Sequence, residues 1–384
     1  MIGLLALLLA ARASPTPAPT PTPFGTLSRS GVLRAYDFQR YNRVGVNQSA
    51  TNFGGSLHLE YTASSRPFTL GATYFFANPL GTNGSDPRSD PQVDNTLPGY
   101  SYSSLGELFA QYRTWRDFVQ LGKMQIATPW ANGADGRLIP VTFQGLVARR
   151  YFGRGWNLGL VRVARFKSRT SATFDADNLL TTARTSGFLM LSLSRAAGSF
   201  TGSLHQYWFD NIASLTYAQA SWKLSHRRFI GAQGVIENDA GAALLGVIHN
   251  RTLGLQFGQR IGAVTATLGY DEAPAVLYLT STPSSIFQPT GGTAAFANAG
   301  GGLFRVVGGG IASPYTDGYV ADPLFTTSIV TSLVDRRSPG SALELAFEAS
   351  DASGRLSGRI ARSFFDFSNP LGSASATESA LDAT

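Results

Sequence analysis

The sequence predicts an all-β fold, an antiparallel up-and-down β-barrel that crosses a membrane. Three observations predict it. From Ser30 onward the chain falls into segments of about 9–14 residues that alternate apolar with small or polar side chains. The connections between them alternate tight and long. Composition agrees, with 42 glycines, 14% charged residues and no cysteine in 384 residues. After the first ten residues no apolar run reaches the roughly 20 needed for a membrane helix. A wall that is greasy on one side and wet on the other needs no such run.

Residues 2–11 form a short apolar core, and Ala11-Arg12-Ala13 supplies a small-x-small site, so 1–13 is expected to be an export signal peptide, although it lacks a basic n-region. Residues 14–29 begin with Pro alternating with Thr or Ala and are expected to form an extended, unpacked tether. The barrel is then expected over 30–384. Removing 1–13 takes away only Arg12, so the formal charge of +7 falls by one. The basic residues are dispersed, which gives nucleic-acid binding no support.

Alternation is clearest at Leu57, Leu59 and Tyr61, at Phe68, Leu70, Ala72, Tyr74 and Phe76, and at Leu253, Leu255 and Phe257. Expected strands are 30–41, 51–64, 67–78, 101–115, 117–126, 142–152, 155–168, 185–196, 199–210, 212–225, 228–238, 249–261, 263–273, 340–350 and 354–367. Tight connections follow the even-numbered strands, as at Arg116, Gly262 and His226-Arg227. The longer ones include 79–100, 127–141, 169–184, 239–248 and 274–339, the last expected to be a long extracellular loop. Such alternation is what a barrel gives when one rim carries clipped turns and the other carries loops. Aromatic residues near strand ends suit the headgroup level: Tyr36, Tyr61, Tyr112, Trp115, Tyr151, Trp156, Tyr207, Trp208 and Trp222.

The segment 127–141 holds Pro129, Gly133, Gly136 and Pro140, which break regular structure, together with Trp130, Asp135 and Arg137. In a large barrel a loop of this kind folds into the lumen and sets fixed charges beside a passing solute. Alternation puts Arg113, Arg149, Arg165, Lys167, Lys223, Arg260 and Arg359 on the wet face, opposed to the acids Glu60, Glu107, Asp271, Glu344 and Glu348. Together they are expected to set a transverse field across the lumen. Inward placement is also what lipid imposes on any charge, and at Arg149, Arg150 and Arg162 a one-residue slip would reverse the face.

Gly122-Lys-Met-Gln125, Asp135-Gly-Arg-Leu-Ile-Pro140 and Thr142-Phe-Gln-Gly145 resemble the third-loop region of OprD-like porins, the substrate-specific outer-membrane channels of Gram-negative bacteria. Arg34-Ala-Tyr-Asp-Phe38, Asp239-Ala-Gly-Ala-Ala-Leu-Leu245 and Asp322-Pro-Leu-Phe-Thr-Thr327 are similar to that family too. The resemblance implies an 18-stranded barrel, inward loops and a row of basic side chains guiding anionic groups. The expectation is therefore 16–18 strands. Residues 378–384 would begin a return strand, with the last strands missing from this chain. The alternative is a closed 16-stranded barrel in which 324–335 is a strand and 354–367 pairs with 30–41.

The function expected is passive, partly selective diffusion of small hydrophilic solutes, such as amino acids, small carboxylates or peptides, across the bacterial outer membrane. Partners would be those solutes, outer-membrane lipid and the barrel assembly machinery, with homo-oligomerisation open. Two other readings are a structural or adhesive barrel with a closed lumen, and a secreted soluble β-protein. No catalytic residues, cofactor or metal are expected: His58, His205, His226 and His249 lack ligand spacing, and the glycines at 301–302 and 308–310 follow no strand-to-helix pattern.

Overall fold

The computed structural model describes residues 7–9, 20–22, 24–40, 48–64, 67–80, 97–280, 296–299, 302–307, 310–311, 313–316, 323–328, 331–334, 339–350, 357–367 and 375–383. Two short strands come first, β1 (Leu7–Leu9) and β2 (Thr20–Thr22). The main series follows with β3 (Gly25–Arg40), β4 (Gln48–Ala63), β5 (Phe68–Pro79), β6 (Tyr102–Arg113), β7 (Asp117–Met124), β8 (Thr142–Phe152) and β9 (Trp156–Lys167). It continues with β10 (Phe188–Ala197), β11 (Phe200–Phe209), β12 (Ala213–Lys223), β13 (Arg228–Asp239), β14 (His249–Ile261) and β15 (Val264–Ala273). Next come β16 (Val276–Thr280), β17 (Phe296–Ala299) and β18 (Gly302–Val307), which make a separate three-stranded sheet, and then β19 (Gly340–Ser350), β20 (Ser357–Asp366) and β21 (Ser375–Ala383). Setting aside β1, β2 and that small sheet, sixteen strands form one antiparallel up-and-down sheet, and no helix occurs among the described residues.

Several boundaries differ from expectation. β3 begins at Gly25, inside the expected tether, and β2 pairs with it through Thr20↔Leu27 and Thr22↔Gly25. Pro21 is tolerated there because an edge strand can spare one N–H. Leu7–Leu9, within the expected signal sequence, also pairs with β3. The stub at the end is β21, which pairs with β20 from Gly358↔Ala383 to Asp366↔Ser375. β20 pairs with β19 on its other side, and among the described residues the sheet does not close. The alternative strand at 324–335 is not seen among the described residues, where 323–328 and 331–334 are turn and irregular backbone.

Backbone contacts divide the chain into two units. In the first (1–150, 161–177 and 315–318), Leu57 and Leu59 are exposed and lie opposite Tyr74 and Ala72. The other face of the same strands carries Ser56, His58, Thr73, Phe75 and Ala77, of which the last three are buried. In the second (151–160, 178–314 and 319–384), Leu253, Leu255 and Phe257 form the exposed apolar face with Tyr270 and Leu268, while Gln233, Thr252 and Asp271 are buried on the opposite one. The period of two therefore survives from sequence to sheet, with the greasy side exposed in each unit. Where that side meets lipid, Leu268→Lys is expected to cost about 2–4 kcal/mol, while Thr267→Lys, one residue away on the opposite face, should stay within about 0.5 kcal/mol. Urea unfolding of the reconstituted protein checks the contrast.

Alternation breaks at one place that matters for the site. Thr73 pairs with Glu107 but Tyr74 pairs with Leu105, so Gly106 is the extra residue of a β-bulge. A side chain at 106 would run into the Phe75 ring at 2.1 Å, which glycine avoids. The bulge lets Leu105 remain on the apolar face while Glu107 turns to the other. Of the aromatics expected at the headgroup level, Trp115, Trp208 and Trp222 are exposed, while Tyr36 and Tyr207 are buried on the opposite face from the exposed apolar side chains.

Candidate functional site

In the first unit β3 presents Arg34 and Tyr36 on the face away from exposed Leu33. The loop 127–141 starts at β7, four strands from β3, about 19 Å along a sheet at about 4.8 Å per strand. It is shaped by its own hydrogen bonds. Thr128 Oγ1 donates to Ala131 O at 2.6 Å, Asn132 Oδ1 accepts from Ala134 N at 2.9 Å, and Val141 N donates to Gly133 O at 2.8 Å. The loop crosses this face and is pinned at the far side. Arg34 donates through both terminal nitrogens to Asp135, at 2.5 and 3.0 Å, and Arg34 Nη1 also reaches the Arg137 carbonyl at 2.8 Å. Arg137 Nη1 donates to Tyr36 Oη at 2.7 Å, and its guanidinium lies 5.2 Å from that ring. Arg169 Nη2 holds the Ala134 carbonyl at 3.2 Å from the next loop.

Trp130 is fully buried, and its neighbours are tied to the long loop. Asn132 N donates to Thr316 Oγ1 at 3.1 Å, and that hydroxyl donates to the Trp130 carbonyl at 3.5 Å. Leu138 and Ile139 join Tyr36, Phe75, Leu97 and Tyr102 in an apolar cluster, giving the polar tip an apolar footing. Of the anchors, sequence reasoning named Asp135 and Arg137 but missed Arg34 and Arg169. The signal for Arg34 was present, since it alternates against Leu33. Arg169 had none, because its role depends on where two loops meet.

Beside the pin lies a recess of about 280 Å³ lined by Arg34, His58, Thr73, Glu107, Gln125 and Asp135, with Leu138 and Pro140. Glu107 accepts from Thr73 Oγ1 and, at 3.1 Å, from Gln125 N. Because Thr73 spends its one proton on that carboxylate, it accepts from His58 Nδ1, 2.8 Å away. His58 Nε2 lies 3.8 Å from Glu60, which is half exposed. Glu107 is thus locked into the wall and is not an acid free to face solute.

The basic set divides. Arg113 and Arg149 share the face of Phe118, with guanidiniums 5.1 and 5.6 Å from its ring. Register resolves the adjacent arginines: Phe118 is opposite Arg149, while Arg150 is opposite Asp117 and pairs with it at 3.5 Å. Arg162 falls on the apolar side of β9, in phase with exposed Leu158. Arg165 is exposed on the other side. Lys167 is in the same phase but fully buried, and donates to the carbonyls of Ser168 and Ser171 at 3.2 and 3.3 Å, with Phe75 and Tyr102 rings 5.7 and 5.6 Å away. The Lys167 ammonium is thus enclosed by carbonyls and rings of the protein itself.

In the second unit the expected acids are committed too. Asp271, fully buried, accepts from Gln233 Nε2 at 2.6 Å and from the N–H and hydroxyl of Thr326, both at 2.8 Å. Phe325 beside it fits over Gly231 and Gly269. Glu237, not singled out in sequence, accepts from Ile311 N at 3.0 Å. Within 274–339, Ile311, Phe325 and Thr326 therefore pack against buried groups of the polar face. Glu344 is buried and takes Arg359 and Ser363 as donors, so neither Glu344 nor Arg359 faces open solvent alone. Lys223, Arg260 and Glu348 remain exposed, with Arg260 Nε donating to the Gly262 carbonyl at 3.1 Å.

An antiparallel sheet with an exposed apolar face, and a polar face crossed by loops carrying paired charges, defines a transmembrane β-barrel of the channel class. The chain belongs to the outer membrane porin, OprD family, whose model matches residues 55–279, more than half of its length. OpdK of Pseudomonas aeruginosa, solved with vanillate, superposes with a TM-score of 0.68 at 17% identity, covering 93% of this chain and 87% of that one. OccK9 (OpdG) of the same species gives 0.67 at 20% identity, covering 93% and 88%. OccAB4 of Acinetobacter baumannii gives 0.65 at 14% identity, covering 94% and 89%. Among curated proteins no sequence relative matches this chain. The protein is an outer-membrane β-barrel porin, of a family of channels rather than enzymes.

Proposed function

We propose that small hydrophilic solutes, among them amino acids, small carboxylates or peptides, diffuse passively and with partial selectivity through a lumen narrowed by 127–141. The observation that carries this reading is the two-pronged Arg34–Asp135 pair, which holds the loop across the polar face and leaves Arg137 beside it. Arg113, Arg149, Arg165, Lys223 and Arg260 are the cations proposed to steer anionic groups, with Glu60 and Glu348 as the acids still open to solvent. The reading includes an export signal at 1–13 and insertion by the barrel assembly machinery.

In a planar bilayer the folded protein is expected to give discrete open-channel currents. Arg137→Ala is expected to shift the reversal potential in a salt gradient toward weaker anion preference, with a stability change of about 1 kcal/mol or less. An unchanged reversal potential would remove Arg137 from the selectivity device. The second reading, a structural or adhesive barrel with a closed lumen, draws on Thr326 and Ile311 packed onto Asp271 and Glu237 in the second unit. A folded barrel that stays electrically silent would favour it.

A further inference from the structure

His58 lies on the face of β4 away from exposed Leu57 and Leu59, in the wall of the recess beside the Arg34–Asp135 pin. We infer that His58 is a specificity-determining residue, which on taking up a proton at Nε2 turns the constriction toward anions. The inference rests on the porin reading and adds a titratable residue to its set of fixed charges.

Hydrogen bonds decide which ring nitrogen is open. Thr73, opposite His58 across the β4–β5 pair, gives its hydroxyl proton to Glu107 and so accepts from His58 Nδ1, 2.8 Å away. Glu107 is held in turn by Gln125 N at 3.1 Å, which fixes the far end of the chain of bonds and with it the ring. A neutral imidazole carries one proton, so Nε2 is bare and is the atom that a second proton reaches. Glu60 Oε2 stands 3.8 Å from it, and the two side chains are 29% and 39% exposed, open enough to exchange protons with water.

The added charge changes the balance of the recess. The charged groups lining it are Arg34 from β3, Glu107 from β6 and Asp135 from the loop, with Glu60 beside His58 on β4, while β5 brings Thr73 and no charge. Arg137 of the loop turns its guanidinium to Tyr36 instead. With His58 neutral, three carboxylates therefore face one guanidinium; with His58 charged, they face two cations. Arg34 is already committed to Asp135 through both terminal nitrogens, so the imidazolium is the cation that varies. A unit charge beside a passing ion, screened by salt, alters the relative entry of anions and cations about two- to fivefold.

The test measures the reversal potential of the full chain in a planar bilayer under a potassium chloride gradient, with folding verified by heat-modifiable migration. Between about pH 8 and about pH 6 an imidazole changes charge while ordinary carboxylates stay ionised. Across that window the chloride-to-potassium permeability ratio of the parent is expected to rise about two- to fivefold. His58→Asn keeps an N–H donor for Thr73 but takes up no proton, and it should lose most of that rise, with His205, His226 and His249 still in place. His58→Lys, charged throughout, should hold the high ratio at both ends of the window, and it decides the matter where His58→Asn fails to fold. A parent ratio that does not move with pH overturns the role of His58 and leaves the porin reading standing. A rise that persists in His58→Asn, or a His58→Lys ratio that still follows pH as the parent's does, places the titration in another group and overturns it too. A folded barrel with no current overturns the porin reading, and this inference with it.

Discussion

Arg34→Ala is expected to raise single-channel conductance and to add slow fluctuations to the open current. The pair with Asp135 is charge-assisted and bonded through both nitrogens, yet its side chains are 28% and 45% exposed, so screening limits it to about 1–2 kcal/mol. That energy corresponds to a rise of about 5- to 30-fold in the population of loops released from β3. Losing Arg34 also frees the Arg137 carbonyl, so the effect should exceed that of Asp135→Ala. The loop keeps its internal hydrogen bonds and its apolar footing at Leu138 and Ile139, so the barrel itself should still fold. The exchange Arg34→Asp with Asp135→Arg should recover much of the original conductance. Conductance identical to the parent in both single variants would show that the pair does not hold the constriction.

Asp271→Ala is expected to have the larger effect on stability. Three donors meet this carboxylate: Gln233 Nε2, Thr326 N and Thr326 Oγ1. Its site is fully buried, so removing the acceptor leaves those groups either unpaired or driven back to water. Each unpaired buried donor costs about 1–3 kcal/mol, and the sum should appear as a loss of about 3–5 kcal/mol, or as release of 323–328 from the wall. The two outcomes separate experimentally. Destabilisation appears as a lower temperature for the heat-modified gel shift, and release as higher conductance at unchanged gel behaviour. Asp271→Asn, which keeps one carbonyl acceptor, should fall between. A variant indistinguishable from the parent in both measurements would show that Thr326 is not held through Asp271.

The fold is largely legible in the order of residues along the chain. A strand imposes a period of two on its side chains, so Leu57, Leu59, Leu253 and Leu255 announce one greasy side wherever the sheet is placed. The alternation of tight and long connections came from the same local signals, since turn residues act within a few positions. Even the breaker-rich composition of 127–141 pointed to an irregular element between two strands.

What the tertiary structure decided lies where distant parts meet. Arg34 and Asp135 are 101 positions apart, and nothing near either residue names the other. Lys167 has the phase of a lumen-facing cation, but Phe75, Tyr102 and the carbonyls of 168 and 171 close over it. Phe325 lies over Gly231 and Gly269, a slot composed of two glycines on different strands. The bulge at Gly106, which aims Glu107 inward, is set by how Phe75 packs on the neighbouring strand. Alternation is a property of consecutive residues and can be read along the chain. Burial, partner choice and register shifts depend on groups brought together from far apart, and only the folded sheet brings them into contact.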